Sequence, residues 1–182
     1  MRSDDELYRA FRTGDNKAFD ELVLRYGDDL LIFLNGYTHN LHDAEDLMIE
    51  AFARVMAKRP LIREGGFKAY LFKTGRNLAS RFSASRRIDS FSMDELSREI
   101  AGGSLPEELV WKEQKNAILN ACLERIDPQQ KEALWLVYAE GMTYAQAAVV
   151  MGIKPKKIEK LLSKGKEVMR NELDKEGITS SY

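Results

Sequence analysis

The amino-acid sequence predicts an all-α protein, with two small helical domains joined by an acidic linker and a helix-turn-helix as the C-terminal one. Three observations carry this. Apolar residues recur at three- and four-residue spacing through most of the chain, and no stretch alternates as a half-buried strand does. Capping residues and prolines stand at the ends of these periodic runs. A stretch from Ser90 to Pro106, with serines, acids and Gly102-Gly103, separates the runs into two groups.

Asp4 to Phe11 reads as a short opening helix that ends near Gly14. Asp15 is placed to cap a second helix with Phe19, Leu22, Val23, Tyr26, Leu30, Phe33 and Leu34 on one stripe. A third helix is expected from Asp43, with Ala44, Leu47, Met48, Ala51, Phe52 and Val55 inward, stopping before Pro60. Leu61 to Gly66 reads as a loop, and a fourth helix runs from Phe67 to Ala84. These elements make a domain over residues 1–88. Residues 89–106 are the linker, where Phe91, Met93, Leu96 and Ile100 keep enough helical spacing for part of it to dock.

The second domain is expected over 107–175, with helices from Glu107 to Arg125, Pro128 to Glu140, Thr143 to Met151 and Pro155 to about Leu173; a frayed tail covers 176–182. Gly141 suits a left-handed closing residue, and Thr143-Tyr144-Ala145-Gln146 has the form of a capping box. Tyr144, Ala147, Ala148 and Met151 are then directed to a core, and Gly152 ends the short helix. Pro155 fits the first position of the next helix, where its missing N–H costs nothing. Two helices joined by so tight a turn have the helix-turn-helix layout. The second of them buries Ile158, Leu161 or Leu162, Gly165, Val168 and Met169. Its leading end carries Lys154, Lys156, Lys157, Lys160, Ser163 and Lys164, where a helix entering a major groove meets DNA. A bundle with a solvated lysine face is the plainer alternative.

Charge and composition narrow the function class. Among the 182 residues, 44% are apolar and 31% charged, a globular balance. No apolar run nears the roughly 20 residues that span a bilayer, and the acidic N-terminus lacks a signal-peptide core, so a cytoplasmic protein without membrane insertion is expected. Cys122, the single cysteine, lies in an apolar run and reads as a buried structural thiol. His39 and His42 have no further ligand set, no phosphate loop or triad is present, and neither an enzyme nor a cofactor or metal is indicated. The net charge of −1 conceals blocks. Arg63, Lys68, Lys73, Arg76, Arg81, Arg86 and Arg87 face Glu64 alone, the linker is acidic, and seven bases from Lys154 to Arg170 face Glu159 and Glu167. Two phosphate-contacting surfaces or ordinary solvated faces both fit this pattern.

Segments along most of the chain, in family order, resemble the extracytoplasmic-function (ECF) sigma factors of bacterial RNA polymerase. Phe19 to Tyr26 is similar to that family's "F..Ly..y", and Asp43 to Phe52 to its "DAEDLvQE.F", with Ile49 where Gln is common. Phe67 to Leu78 resembles "f..WL..iarN", with Tyr70 for Trp. Leu123 to Leu134 and Tyr138 to Lys166 resemble the C-terminal "LP…R.v..L" and "y.eglsy" segments and the helix after them. In that helix Lys157 replaces a usual Thr, Leu161 an Arg and Gly165 an Ala.

The resemblance implies a non-enzymatic initiation factor whose partners are core RNA polymerase, promoter DNA and an anti-sigma factor. It assigns polymerase binding to Asp43, Asp46, Leu47 and Glu50. The melted minus-10 strand falls to Arg63, Lys68, Lys73, Arg76, Asn77, Arg81, Arg86 and Arg87, with the Leu61–Gly66 loop pocketing a flipped base. Tyr70 and Phe72 are expected in the core instead. The minus-35 duplex falls to the lysine helix, and the acidic linker threads polymerase channels. A polymerase-independent helix-turn-helix regulator, or a sigma-like decoy for an anti-sigma factor, are the competing readings.

Overall fold

The computed structural model describes residues 1–86, 91 and 125–175. Its elements are α1 (Asp4–Arg12), α2 (Asn16–Thr38), α3 (Leu41–Lys58), α4 (Phe67–Arg86), α5 (Pro128–Leu134), a π-helical turn (Trp135–Ala139), α6 (Tyr144–Met151) and α7 (Pro155–Lys175). No strand occurs among the described residues. Arg87, the linker apart from Phe91, the expected Glu107–Arg125 helix apart from its last residue, Cys122 and the tail lie outside them.

Local chemistry sets the helix ends. Ser3 and Glu6 form a capping box on α1, with Asp4, Asp5 and Glu6 placed against the positive end of the helix dipole. Asp15 accepts the Ala18 N–H and starts α2 as expected. The third helix begins two residues before Asp43, because Asn40 supplies the cap by accepting the Asp43 N–H at 3.0 Å. It stops at Arg59, whose φ of 42° turns the chain out before Pro60. The fourth helix outruns its expected end at Ala84 and reaches Arg86.

The N-terminal helices enclose an aromatic core. Phe11, Phe19, Phe33, Phe67 and Phe72 are fully buried, with ring centroids 4.5 Å apart for Phe11–Phe19 and 5.3 Å for Phe33–Phe72. Such pairs add about 0.5–1.5 kcal/mol each beyond the area they bury. α4 crosses α2 closely at Gly75, where a Cβ would stand 3.1 Å from Leu30 and 3.2 Å from Leu34. Phe91 is buried against Phe33 and Tyr37, beside Gly36, so the linker docks at this residue.

The expected Pro128–Glu140 helix is not one regular helix. After Leu134 it widens into the π-helical turn, closed by the Glu140 N–H donating to the Trp135 carbonyl at 3.1 Å. The extra residue in that turn rotates the chain beyond it, so that Glu140 faces inward. The Thr143–Gln146 capping box forms, and Gly152, at φ 66°, ends α6. Tyr144, expected inward, is 42% exposed, since Ala147, Ala148, Val150 and Met151 form the buried side of this short helix. On α7, Ile158, Leu162 and Gly165 face inward, while Leu161, Val168 and Met169 are half-buried. A Cβ at Gly165 would reach within 3.0 Å of Leu134, which explains the small residue at this crossing.

Candidate nucleic-acid interface

The outer face of α7 is uniformly open. Lys154, Lys156, Lys157, Lys160, Ser163 and Lys164 are all exposed, while Ile158 and Leu162 anchor the opposite side. This row occupies the leading turns of the second helix of the pair, so the fold brings all six expected duplex contacts together. α6 lies behind them, its length fixed by the capping box and Gly152.

α4 distributes its cations over two faces. Lys73, Asn77 and Arg81 follow one another at four-residue steps and are exposed. Arg63 is exposed in the preceding loop. Arg86 is exposed too, reaches Asp43 at 3.3 Å, and stacks over Phe82 at 4.6 Å. Phe72 is fully buried, as expected, whereas Tyr70 is half-buried and lines a cavity.

Lys68 and Arg76 point elsewhere. Arg76 forms a two-pronged ion pair with Glu132 of α5, its Nη2 3.1 Å from Oε2, and the Glu132 side chain is only 4% exposed. Burial opposes the charge of Arg76, but hydrogen bonding and attraction from Glu132, with Tyr37 beside them, overcome it and raise the guanidinium pKa. Lys68 meets the Glu140 carboxylate at 2.9 Å and donates to the Glu140 carbonyl at 2.8 Å. It also lies near Asp29 of α2 and between the rings of Tyr26 and Phe72. Trp135 donates its indole N–H to the Glu140 carboxylate at 3.0 Å. Burial nevertheless pushes the Glu140 carboxyl above its usual range, outweighing Lys68 and Trp135. The π-helical turn delivers both groups to this place, and the period of an ordinary helix gave no sign of it.

The Leu61–Gly66 loop is held from two sides. Both Asp5 carboxylate oxygens accept the Gly65 N–H, at 2.9 and 3.0 Å, and the Tyr8 hydroxyl donates to the Pro60 carbonyl at 2.8 Å. From α6, the Gln146 amide donates to the Gly65 carbonyl at 2.9 Å. Gly65 has φ 69°, which a side chain would strain. Between loop and α6 lies a cavity of about 460 Å³, lined by Ile62, Gly66, Ala69 and Tyr70 opposite Ala145 and Val149. Asp5→Ala is expected to cost about 1.5 kcal/mol, the lower end for a bond to a charged group, and to raise hydrogen exchange at Gly65 while the helices stay protected. Unchanged exchange at Gly65 would show that the loop holds its shape without α1.

α3 carries the expected acidic surface only in part. Asp46 and Glu50 are exposed on its outer face, Glu50 paired with Arg54 at 2.6 Å. Asp43 is half-buried and engaged with Arg86. Leu47, expected to touch a partner, is 8% exposed and belongs to the core, because it follows the inward stripe of Ala44, Ala51 and Val55. Ile49 is 56% exposed on the outer side of α3, next to Glu50. Its position off that stripe was readable in the sequence.

Comparison with known proteins decides the family. Residues 22–88 match the family described as Sigma-70 region 2, and residues 116–169 match Sigma-70, region 4. The chain belongs to the sigma-70 family. This sigma-70 family member is 28% identical over 170 residues to the ECF RNA polymerase sigma factor SigE of Mycolicibacterium smegmatis and 31% over 151 residues to BldN of Streptomyces coelicolor. The matches take in 90% and 81% of this chain but 65% and 57% of those proteins. With the Escherichia coli ECF sigma-E factor, 24% identity extends over 94% of both chains. In fold it is similar to CnrH, solved in complex with the cytosolic domain of CnrY (TM-score 0.64, 21% identity, 92% of this chain and 95% of that one). It is likewise similar to the sigma factor RpoE solved with the anti-sigma factor NepR from Bartonella quintana (TM-score 0.60, 22% identity, 87% and 98%). Region 2 therefore takes in most of α2 with α3 and α4, and region 4 holds α5, α6 and most of α7.

Proposed function

We propose that this sigma factor binds core RNA polymerase, directs it to promoters and holds the opened DNA, with no catalysis and no cofactor of its own. The observation that carries the reading is the exposed row from Lys154 to Lys164 on α7, within the segment matched to region 4 and joined to a region 2 segment that carries its own exposed cations. In this reading α7 contacts the minus-35 duplex, and Lys73, Asn77, Arg81 and Arg63 meet the melted minus-10 strand. Asp46, Glu50 and Ile49 face the polymerase. In this reading the work is done in the cytoplasm with the polymerase; no helix among the described residues is long and apolar enough to cross a membrane. An anti-sigma factor is a further proposed partner, since RpoE in the similar fold was solved with one.

Transcription reconstituted with core polymerase and a promoter library tests this directly: sigma-dependent transcripts from a defined subset of promoters are expected. On a promoter so selected, Lys156→Ala and Lys160→Ala are each expected to weaken upstream duplex binding and to lower its salt slope by about one unit per lost phosphate contact. Duplex binding without dependence on core polymerase would instead favour a free-standing helix-turn-helix regulator. Binding to an anti-sigma factor with neither transcription nor duplex affinity would mark a decoy.

A further inference from the structure

The loop from Leu61 to Gly66 holds one apolar side chain out in water at a fixed place. Leu61 is 84% exposed at the rim of the cavity whose less exposed lining is Ile62, Ala69 and Tyr70. A single exposed leucine is ordinary on a protein surface. Leu61 differs in what fixes it and in what stands beside it. Just before it, the Pro60 carbonyl accepts the Tyr8 hydroxyl at 2.8 Å, and burial pushes the pKa of that hydroxyl up to about 12, so it stays a donor. Beyond it, the Gly66 N–H donates to the Arg63 carbonyl at 2.9 Å and closes a turn, inside which Asp5 holds the Gly65 N–H. Within three residues on either side of Leu61 stand Lys58, Arg59 and Arg63, all exposed, against the single acid Glu64. None of the three cations pairs with a carboxylate among the described residues, and Arg59 is held over the Phe11 ring at 4.7 Å.

We propose that Leu61 is a stacking wedge: when a base of the melted strand is drawn into the loop cavity, Leu61 covers the face of the neighbouring base that is left bare, and Lys58, Arg59 and Arg63 hold the phosphates on either side. The inference rests on the assignment of the loop and α4 to the promoter strand. Extruding a base takes away its neighbour's stacking partner and exposes an apolar ring face to water. A leucine at the rim of the cavity, rather than inside it, is placed for that neighbour and not for the extruded base. Leucine is among the apolar side chains that proteins insert between base steps. Unpaired cations beside an apolar side chain match a nucleotide, whose phosphate is charged and whose ring face is not. A protein partner is the other occupant to consider, and three unpaired cations so close together favour a polyanion over it. Because Tyr8 and Asp5 fix the loop in advance, little of it has to be ordered when the strand arrives.

The test uses the full chain bound to core polymerase. The probe is a single strand with the non-template sequence of a promoter selected as above, carrying 2-aminopurine at one position at a time. With the parent chain, the base beside the extruded one is expected to brighten, since leucine replaces a quenching neighbour. Leu61→Ala is expected to abolish that signal and to weaken strand binding about fivefold, near the low end of what stacking on a side chain contributes. Its salt slope should stay unchanged, because no phosphate contact is lost. Leu61→Phe is expected to bind as tightly as the parent chain or more so, which a leucine that merely packs the loop would not show. Unchanged binding in Leu61→Ala overturns the wedge, as does a loss that Leu61→Phe does not restore. Weaker capture of core polymerase by Leu61→Ala with an unchanged 2-aminopurine signal assigns the leucine to a protein contact and also overturns it. Lys73→Ala with Arg81→Ala then shows where a failure lies. If that variant weakens strand binding while Leu61→Ala does not, the strand reading of α4 stands and the wedge alone fails. If neither variant has an effect, the assignment of α4 to the strand fails as well.

Discussion

Replacing Asp46 and Glu50 together with arginine is expected to abolish co-purification with core RNA polymerase while leaving the protein folded. Both side chains stand on the outer face of α3, near Ile49, whose exposure gives the acids an apolar neighbour to dock with. An exposed apolar residue beside acidic side chains suits a contact with a basic partner. Exchanging two negative charges for two positive ones turns attraction into repulsion, and opposed like charges at an interface cost several kcal/mol. The folded chain loses little by comparison. Glu50 gives up its pair with Arg54, a surface pair of the i, i+4 kind worth about 0.3–0.5 kcal/mol, and no core atom moves. Leu47→Arg makes the contrast, since a charge in the core should unfold the domain outright. A pull-down with core enzyme and a thermal melt on each variant separate the two effects. Normal co-purification of the arginine pair would remove polymerase binding from α3.

Legibility of the fold in the sequence tracks the reach of local chemistry. The capping groups at Asp15, Thr143 and Gln146, the stops at Pro60 and Gly152, and the start at Pro155 act within four residues of where they stand. Their elements were found where expected, to within a residue or two. The third helix began early because two caps competed. Asn40 and Asp43 are both good caps, and Asn40 sits where its side chain meets the Asp43 N–H. The π-helical turn was not readable at all. Its residues, Trp135 to Ala139, keep an apolar pattern that an ordinary helix satisfies equally well, and widening by one residue leaves no mark in composition.

Legibility of the site divides in the same way. The lysine row of α7 was found intact, because exposure there depends only on the period of one helix and the anchors opposite it. Leu47 is buried as its helical period requires, which leaves little of its side chain for the polymerase contact that the resemblance implies. Lys68 and Arg76 read as part of a continuous basic track, yet the track is split. Glu132 lies 56 residues from Arg76 and Glu140 lies 72 from Lys68, and nothing in a run of charge records which cations a distant carboxylate will occupy.

Asn77→Ala is expected to reduce open-complex formation about tenfold or more while leaving stability and duplex binding nearly unchanged. Asn77 comes directly after Arg76 in sequence but differs from it in surroundings: it is exposed, on the face shared with Lys73 and Arg81, away from the pair with Glu132. An internal hydrogen bond would have been the competing explanation for an asparagine inside a helix, where it is a modest helix former. Exposure argues against that, and alanine at an exposed helix position should hold stability within about 0.5 kcal/mol or improve it slightly. What the amide offers is a donor and an acceptor beside a basic row, suited to the edge of an unpaired base. A good bidentate amide contact to a base edge is worth about 1–3 kcal/mol, and every 1.4 kcal/mol is tenfold in occupancy, which sets the expected size. Permanganate reactivity of thymines in the melted region should fall, and a template with a pre-opened bubble should restore activity only in part, because the strand is still held less tightly. A melting temperature and an upstream duplex affinity on the same variant complete the comparison. An undiminished footprint in the folded protein would take the strand contact away from Asn77 and leave it to Lys73 and Arg81 alone.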